Sequence, residues 1–225
     1  MLASLIAALA RFIFGGVVIW TCGPPDQRQR VYFANHTTNL DFVLLWTYLP
    51  PGVRRLTRPI AAKDYWDGKW LRRFMAANVF RAVLIQRGGD AYAADGTPPS
   101  DDAGAAPDRS AHGRQAVGQM IDALGDSNSL IIFPEGRRNP GPEVGTFRSG
   151  LFHLCSQRPD LEIVPVYIEN LSRALPKGEV LPVPTFVRLT FGEPTHLMQG
   201  ESKDEFLART REAVQTLANL EADDA

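Results

Sequence analysis

Short apolar runs alternate along the chain with stretches whose apolar residues recur every three or four positions. That alternation predicts strands interleaved with helices, an α/β domain with a mixed sheet covered by helices. The strand runs are Val31–Asn35, Pro59–Lys63, Val83–Gln86, Ser129–Phe133, Glu162–Ile168 and Phe186–Phe191. The helical stretches are Asp41–Tyr48, Gly68–Ala77, Arg114–Leu124, Thr146–Ser156 and Lys203–Leu220. Residues Gly88–Ser110 hold Ala, Gly, Pro and Asp with almost nothing to bury, which reads as a flexible surface insertion within the domain. There is no internal repeat, and Asp223–Ala225 read as a frayed end.

The N-terminus has a different pattern. Leu2 to Trp20 is nearly all apolar, interrupted by Arg11 and by Gly15-Gly16. That run approaches the roughly 20 residues a membrane-spanning helix needs. A central arginine costs on the order of 2.5–3.5 kcal/mol on insertion scales. Nothing basic precedes Arg11, unlike the start of a signal peptide. The expectation is a helix anchored at the membrane interface, with a spanning helix or a buried core helix as the alternatives. Trp66, Trp70 and Phe74 recur every four residues, with Leu71 and Met75 beside them and Lys69, Arg72 and Arg73 flanking. As one helical face they suit lipid headgroups; core packing with a solvated basic edge fits equally. The chain then divides into an apolar membrane-associated segment, 1–22, and a domain, 23–222, carrying the insertion at 88–110.

Composition narrows the classes. With 225 residues, 44% of them hydrophobic, and a net charge of −1, the chain suits one domain with a sizeable core and excludes a mainly disordered one. Cys22 and Cys155 lie outside any CxxC pair, so they read as free thiols in a reducing compartment. The near-neutral balance argues against a general nucleic-acid binder. That average conceals an asymmetry. Between Arg54 and Arg87 nine basic residues face two acidic ones, whereas Gly88–Ser110 and the chain from Glu201 onward each carry −4. One stretch is built to meet an anion.

No phosphate loop, GxGxxG, HExxH or GxSxG signature is present. Two polar clusters follow strand runs, where α/β folds place their sites. The first is Asn35-His36-Thr37-Thr38-Asn39-Leu40-Asp41. An aspartate five residues after a histidine can fold back to hold one imidazole nitrogen and leave the other to accept a proton. The alternative is a helix cap at Asp41 or Asn39 beside a satisfied histidine. The second cluster is Phe133-Pro134-Glu135-Gly136-Arg137-Arg138-Asn139, whose guanidiniums match phosphate oxygens and whose glycine admits a ligand close to the backbone. Glu135 with the arginines could equally form a structural ion pair. Arg87, ending the run Leu84-Ile85-Gln86-Arg87, closes the basic region.

In this order the pieces resemble the glycerolipid acyltransferase family, the lysophosphatidic acid acyltransferases and their relatives. The family's block NHxSxxD reads NHTTNLD, and its block FPEGTRS reads FPEGRRN. Between them LIQR matches a strand ending in arginine; later come FRSG at Phe147–Gly150 and IVPV at Ile163–Val166. The resemblance spans residues 30 to 195. His36, Asp41, Glu135, Gly136 and Arg138 match; Thr38 replaces serine, Asn39 an aromatic, Arg137 threonine and Asn139 serine.

The resemblance implies a glycerol-3-phosphate acyltransferase-like fold and transfer of an acyl chain from acyl-CoA or acyl carrier protein to the free hydroxyl of lysophosphatidic acid. His36 and Asp41 would be catalytic. Glu135, Gly136, Arg138, Arg87, Arg137 and Thr38 would bind substrate, the arginines at the acceptor phosphate, Glu135 at the glycerol hydroxyls or positioning the arginines, and the Gly136 region as a source of oxyanion donors; no metal or other cofactor is implied. The alternatives are the same chemistry on another lysolipid or on glycerol 3-phosphate, and a catalytically silent lipid-binding module. The expected partners are the lysophospholipid, the acyl donor and a membrane surface, at the cytoplasmic face of the plasma membrane, with no nucleic acid.

Overall fold

The computed structural model describes residues 2–66, 70–85, 109–139, 141, 143–169 and 186–219, with the side chains of 64, 65, 71, 72, 109 and 110 excluded. The strands are β1 (Gly16–Trp20), β2 (Arg30–Ala34), β3 (Thr57–Ala62), β4 (Val83–Ile85), β5 (Ser129–Ile132), β6 (Glu162–Glu169) and β7 (Val187–Phe191). The helices are α1 (Leu2–Ile13), α2 (Asp41–Tyr48), α3 (Pro51–Leu56), α4 (Lys63–Trp66), α5 (Trp70–Phe74), α6 (Arg109–Leu124), α7 (Gly150–Gln157) and α8 (Lys203–Asn219). A π-helical turn, Met75–Phe80, continues α5 and ends at Arg81, whose φ of 52° is left-handed.

The strands form a seven-stranded sheet in the order β1-β7-β6-β2-β5-β3-β4, parallel throughout except where β7 runs against β6. β2 lies inside it, between β5 and β6, and all five of its residues are buried. A strand covered on both faces reads as an apolar run, and Val-Tyr-Phe-Ala satisfies that, while Arg30 at its start is buried against Asp26 and Glu162. Its alternating side chains serve two cores. Tyr32 and Ala34 pack with α1, α2 and the π-helical turn, while Val31 and Phe33 pack with α6, α7 and α8. The mixed sheet covered by helices is as the sequence predicts.

The N-terminal run does not form one helix. α1 ends at Ile13, and Gly16–Trp20 joins the sheet edge as β1, parallel to β7. Gly15-Gly16 breaks the helix, and the β-branched Val17, Val18 and Ile19 that follow favour a strand. Gly16 lies so close to the Tyr48 hydroxyl that a Cβ would overlap it. At 12 residues α1 is short, and no described helix is long and apolar enough to cross a membrane. Residues 86–108, most of the expected insertion, lie outside the described residues, as do 220–225; Arg109 and Ser110 already belong to α6.

The expected Trp66–Phe74 face is also divided. Trp66 is buried in an edge-to-face cluster with Phe42, Phe80 and Trp46, whereas Trp70 is 78% exposed and Phe74 42%. Phe80 sits at the centre of that cluster, its ring 5.0 Å from Trp46 and 5.1 Å from Phe42. Phe80→Ala should therefore lower folding stability by about 3–5 kcal/mol in urea unfolding, the range for a buried aromatic truncated to alanine.

Candidate active site

β2 and β5 are parallel neighbours in the register Val31↔Leu130, Tyr32↔Ile131, Phe33↔Ile132. Their carboxyl ends therefore release both polar clusters side by side. Asn35 extends the pairing of β2 with β6: its side-chain amide donates to the Ile168 carbonyl (3.0 Å), and its Oδ1 accepts from the Ile168 N–H (2.8 Å). The chain then turns through His36, Thr37 and Thr38 into α2.

Asp41, the first residue of α2, has no exposed surface. Its carboxyl folds back on the turn and accepts from the Thr37 N–H (2.6 Å), the Thr38 N–H (2.9 and 3.0 Å) and the Thr38 hydroxyl (2.8 Å). The Thr37 hydroxyl adds a contact at 3.2 Å. His36 Nδ1 lies 2.7 Å from Asp41 Oδ2. With backbone donors on both Asp41 oxygens, the imidazole meets an acceptor, so Nδ1 is assigned the proton and Nε2 keeps its lone pair. The other face of the ring is fixed by Phe133, stacked at 4.5 Å and 25°. The His36 side chain remains 19% exposed, so the ring is held yet reachable.

Glu135 joins the second cluster to the first. It is buried; Oε1 accepts from the His36 N–H (2.9 Å) and Oε2 from the Gly145 N–H (3.1 Å). Burial pushes its carboxyl pKa up, opposed by those two backbone bonds and by the Asn139 side chain. The ion pair with the arginines, weighed on sequence grounds, is absent from these contacts; Arg137 and Arg138 are exposed instead. Thr38 likewise directs its hydroxyl inward, to Asp41 and to the Leu40 N–H (3.1 Å). Gly136 has φ +67°, and a Cβ there would come within 2.6 Å of the Arg148 side chain. Its N–H closes the turn on the Phe133 carbonyl (3.0 Å), so it is not offered to a ligand. Arg87 lies outside the described residues.

Several contributors had no signal of their own in the sequence. The Asn139 N–H bonds the His36 carbonyl at 2.6 Å, and the Arg148 N–H bonds the Pro134 carbonyl at 2.8 Å. Gly145 sits so close to Glu135 that a side chain there would displace it. Arg148 stood inside the block FRSG and Asn139 inside FPEGRRN, whereas Gly145 stood in neither.

A family model described as Acyltransferase matches residues 24–169, more than half of the chain and all of this site. The chain belongs to the acyltransferase family. A 1-acyl-sn-glycerol-3-phosphate acyltransferase of Limnanthes alba is 28% identical over 189 residues, covering 78% of this chain and 57% of the relative. The "Taffazin" of Dictyostelium discoideum is 26% identical over 170 residues, covering 70% of this chain and 50% of the relative. The chain thus spans about half the length of the curated relatives it matches. The crystal structure of the 1-acyl-sn-glycerophosphate (LPA) acyltransferase PlsC from Thermotoga maritima shares the fold, with a TM-score of 0.68 at 18% identity over 98% of this chain and 78% of that one.

The raised pKa of Glu135 makes a signed prediction. A carboxyl whose folded pKa lies above its unfolded value stabilises the fold fully below the unfolded pKa and loses that contribution as pH rises through the folded one. Glu135→Gln removes the titration. The stability of the wild type relative to the variant should therefore fall as pH rises from below the ordinary glutamate range to neutrality, measured by urea unfolding at a series of pH values.

Proposed function

We propose that this acyltransferase moves an acyl chain from the thioester of acyl-CoA or acyl carrier protein to the free hydroxyl of lysophosphatidic acid, giving phosphatidic acid. The observation that carries the reading is the His36–Asp41 pair, a half-buried imidazole oriented by a buried carboxyl where two strands end. His36 Nε2 takes the proton of the acceptor hydroxyl as its oxygen attacks the thioester carbonyl. The tetrahedral intermediate collapses, the C–S bond breaks, and the departing thiolate receives that proton from the imidazolium. No nucleophile from the protein is required, because the substrate supplies its own.

Arg138 and Arg137, exposed beside the histidine, bind the acceptor phosphate, with Arg87 as a third cation. Glu135 and Thr38 act by positioning, since their oxygens bond to the site's own N–H and carboxyl groups. Arg137 and Asn139, where the resembled motif has threonine and serine, favour a second reading of the acceptor: another lysolipid or glycerol 3-phosphate under the same chemistry.

A lysophospholipid resides in a bilayer, so the site has to meet one. The outer face of α1 presents Leu5 (66% exposed), Leu9 (55%) and Phe12 (87%), an apolar strip suited to lying in the interface. The location that fits this reading is the cytoplasmic face of the plasma membrane.

In detergent, labelled oleoyl-CoA with lysophosphatidic acid should yield phosphatidic acid, and His36→Ala should lower the rate by about 10²–10⁴-fold, the usual contribution of a general base. Product from another acceptor alone moves the specificity and keeps the chemistry. Turnover by His36→Ala at the wild-type rate would exclude the base. Replacing Leu9 and Phe12 by serine should weaken sedimentation with neutral phosphatidylcholine vesicles several-fold while leaving turnover of detergent-dispersed substrate intact.

A further inference from the structure

Arg11, the single charge in the apolar N-terminal run, crosses from α1 to the end of α2. Its Nη2 donates to the Thr47 carbonyl at 2.9 Å, and its guanidinium lies 5.4 Å from the centroid of the Tyr48 ring. Arg54 of α3 donates Nη1 to the same carbonyl at 3.1 Å, with its guanidinium 5.1 Å from the centroid of Trp46. Arg54 is only 7% exposed. Two cations thus converge on one neutral oxygen. Among the described residues no carboxylate bonds either of them. Burial and the neighbouring Arg11 both push the Arg54 pKa down.

A buried arginine such as Arg54 normally meets an acid, because a desolvated cation without one is costly. Aromatic faces offset part of that cost but accept no N–H bonds. Each guanidinium has five donors, and the contacts above use one on each. A tetrahedral oxyanion held between the two guanidiniums would use their remaining donors and offset the buried charge of Arg54.

We propose that Arg11 and Arg54 form a binding site for a phosphate oxyanion, separate from the His36 cluster. Beside Arg11 on α1, Leu9 and Phe12 are exposed. A lipid phosphate would therefore meet cations and an apolar surface together, so the phosphodiester of an anionic phospholipid is the form favoured over free phosphate. The site ties α1, α2 and α3 to one ligand and makes docking of the chain sensitive to headgroup charge. It is independent of the acyl-transfer reading, and its test measures binding rather than turnover.

The full chain is sedimented with phosphatidylcholine vesicles, with and without phosphatidylglycerol, and melted with and without inorganic phosphate. The wild type should prefer the anionic vesicles. Arg11→Gln and Arg54→Gln should each reduce that preference about five-fold, the worth of one basic residue near an anionic surface. Arg54→Lys should also lose several-fold, because it keeps the charge and loses the fork. Arg11 is exposed, so Arg11→Gln carries the test if the Arg54 variants fail to fold. A rise in wild-type melting temperature with phosphate, absent in Arg11→Gln, would show that the free anion suffices. A preference for anionic vesicles without that rise would assign the site to lipid-borne phosphate. An unchanged preference in Arg11→Gln, or full retention by a folded Arg54→Lys, would overturn the proposal, the latter by reducing it to diffuse charge attraction.

Discussion

A buried carboxyl group without partners would cost the fold several kcal/mol, and Asp41 is fully buried. What makes it tolerable is the turn it creates. The N–H groups of Thr37 and Thr38, the Thr38 hydroxyl and the His36 ring all point at its two oxygens. Asp41 also begins α2, where the helix dipole favours a negative group. The same bonds that satisfy the carboxyl hold the imidazole in one orientation. The rest of the site is arranged around that orientation: Phe133 backs the ring, Glu135 fixes the His36 N–H, and Asn139 fixes the His36 carbonyl. Each of these reaches His36 because β5 lies directly beside β2.

Adjacency of those strands is where sequence and structure agree most closely. A strand buried on both faces leaves an unbroken apolar run, and Val31–Ala34 and Leu130–Ile132 are such runs, the first followed at once by Asn35 and the second, after Phe133 and Pro134, by Glu135. Their pairing follows from parallel α/β architecture, so the meeting of His36 with Glu135 was within reach of the sequence. What Glu135 does there was not. A carboxylate beside two arginines suggests ion pairing, but backbone N–H groups carry no sequence signature, and it is to those of His36 and Gly145 that Glu135 bonds. The N-terminal run misled for a related reason. Hydropathy sums Val17, Val18 and Ile19 with the residues of α1, while the Gly15-Gly16 break and the β-branching marked the strand. Trp66 shares a helical spacing with Trp70 on paper, yet it fills the gap between Phe42 and Phe80.

The chain belongs to the acyltransferase family, and under the proposed acyl transfer the His36–Asp41 geometry would need no nucleophile from the protein. Three of the four positions that depart from the resembled motif fall into two groups. Thr38 and Asn139 bond within the scaffold, so their exchanges reshape the turn that carries His36. Arg137 is exposed, so its exchange alters what a ligand meets. Acceptor choice under the proposed reaction therefore rests on Arg137 more than on the scaffold pair.

The claim at the centre of this account is that Asp41 fixes the proton of His36 on Nδ1 and leaves Nε2 as the base. Nitrogen-15 NMR of the histidine-labelled protein reads that tautomer directly, with His36→Gln identifying the resonances. At a pH where the ring is neutral, the account predicts a protonated Nδ1 and an unprotonated Nε2 in the wild type, and loss of that preference in Asp41→Asn. A wild-type ring protonated on Nε2 would contradict it, because the nitrogen facing the substrate would then have no lone pair with which to take the hydroxyl proton.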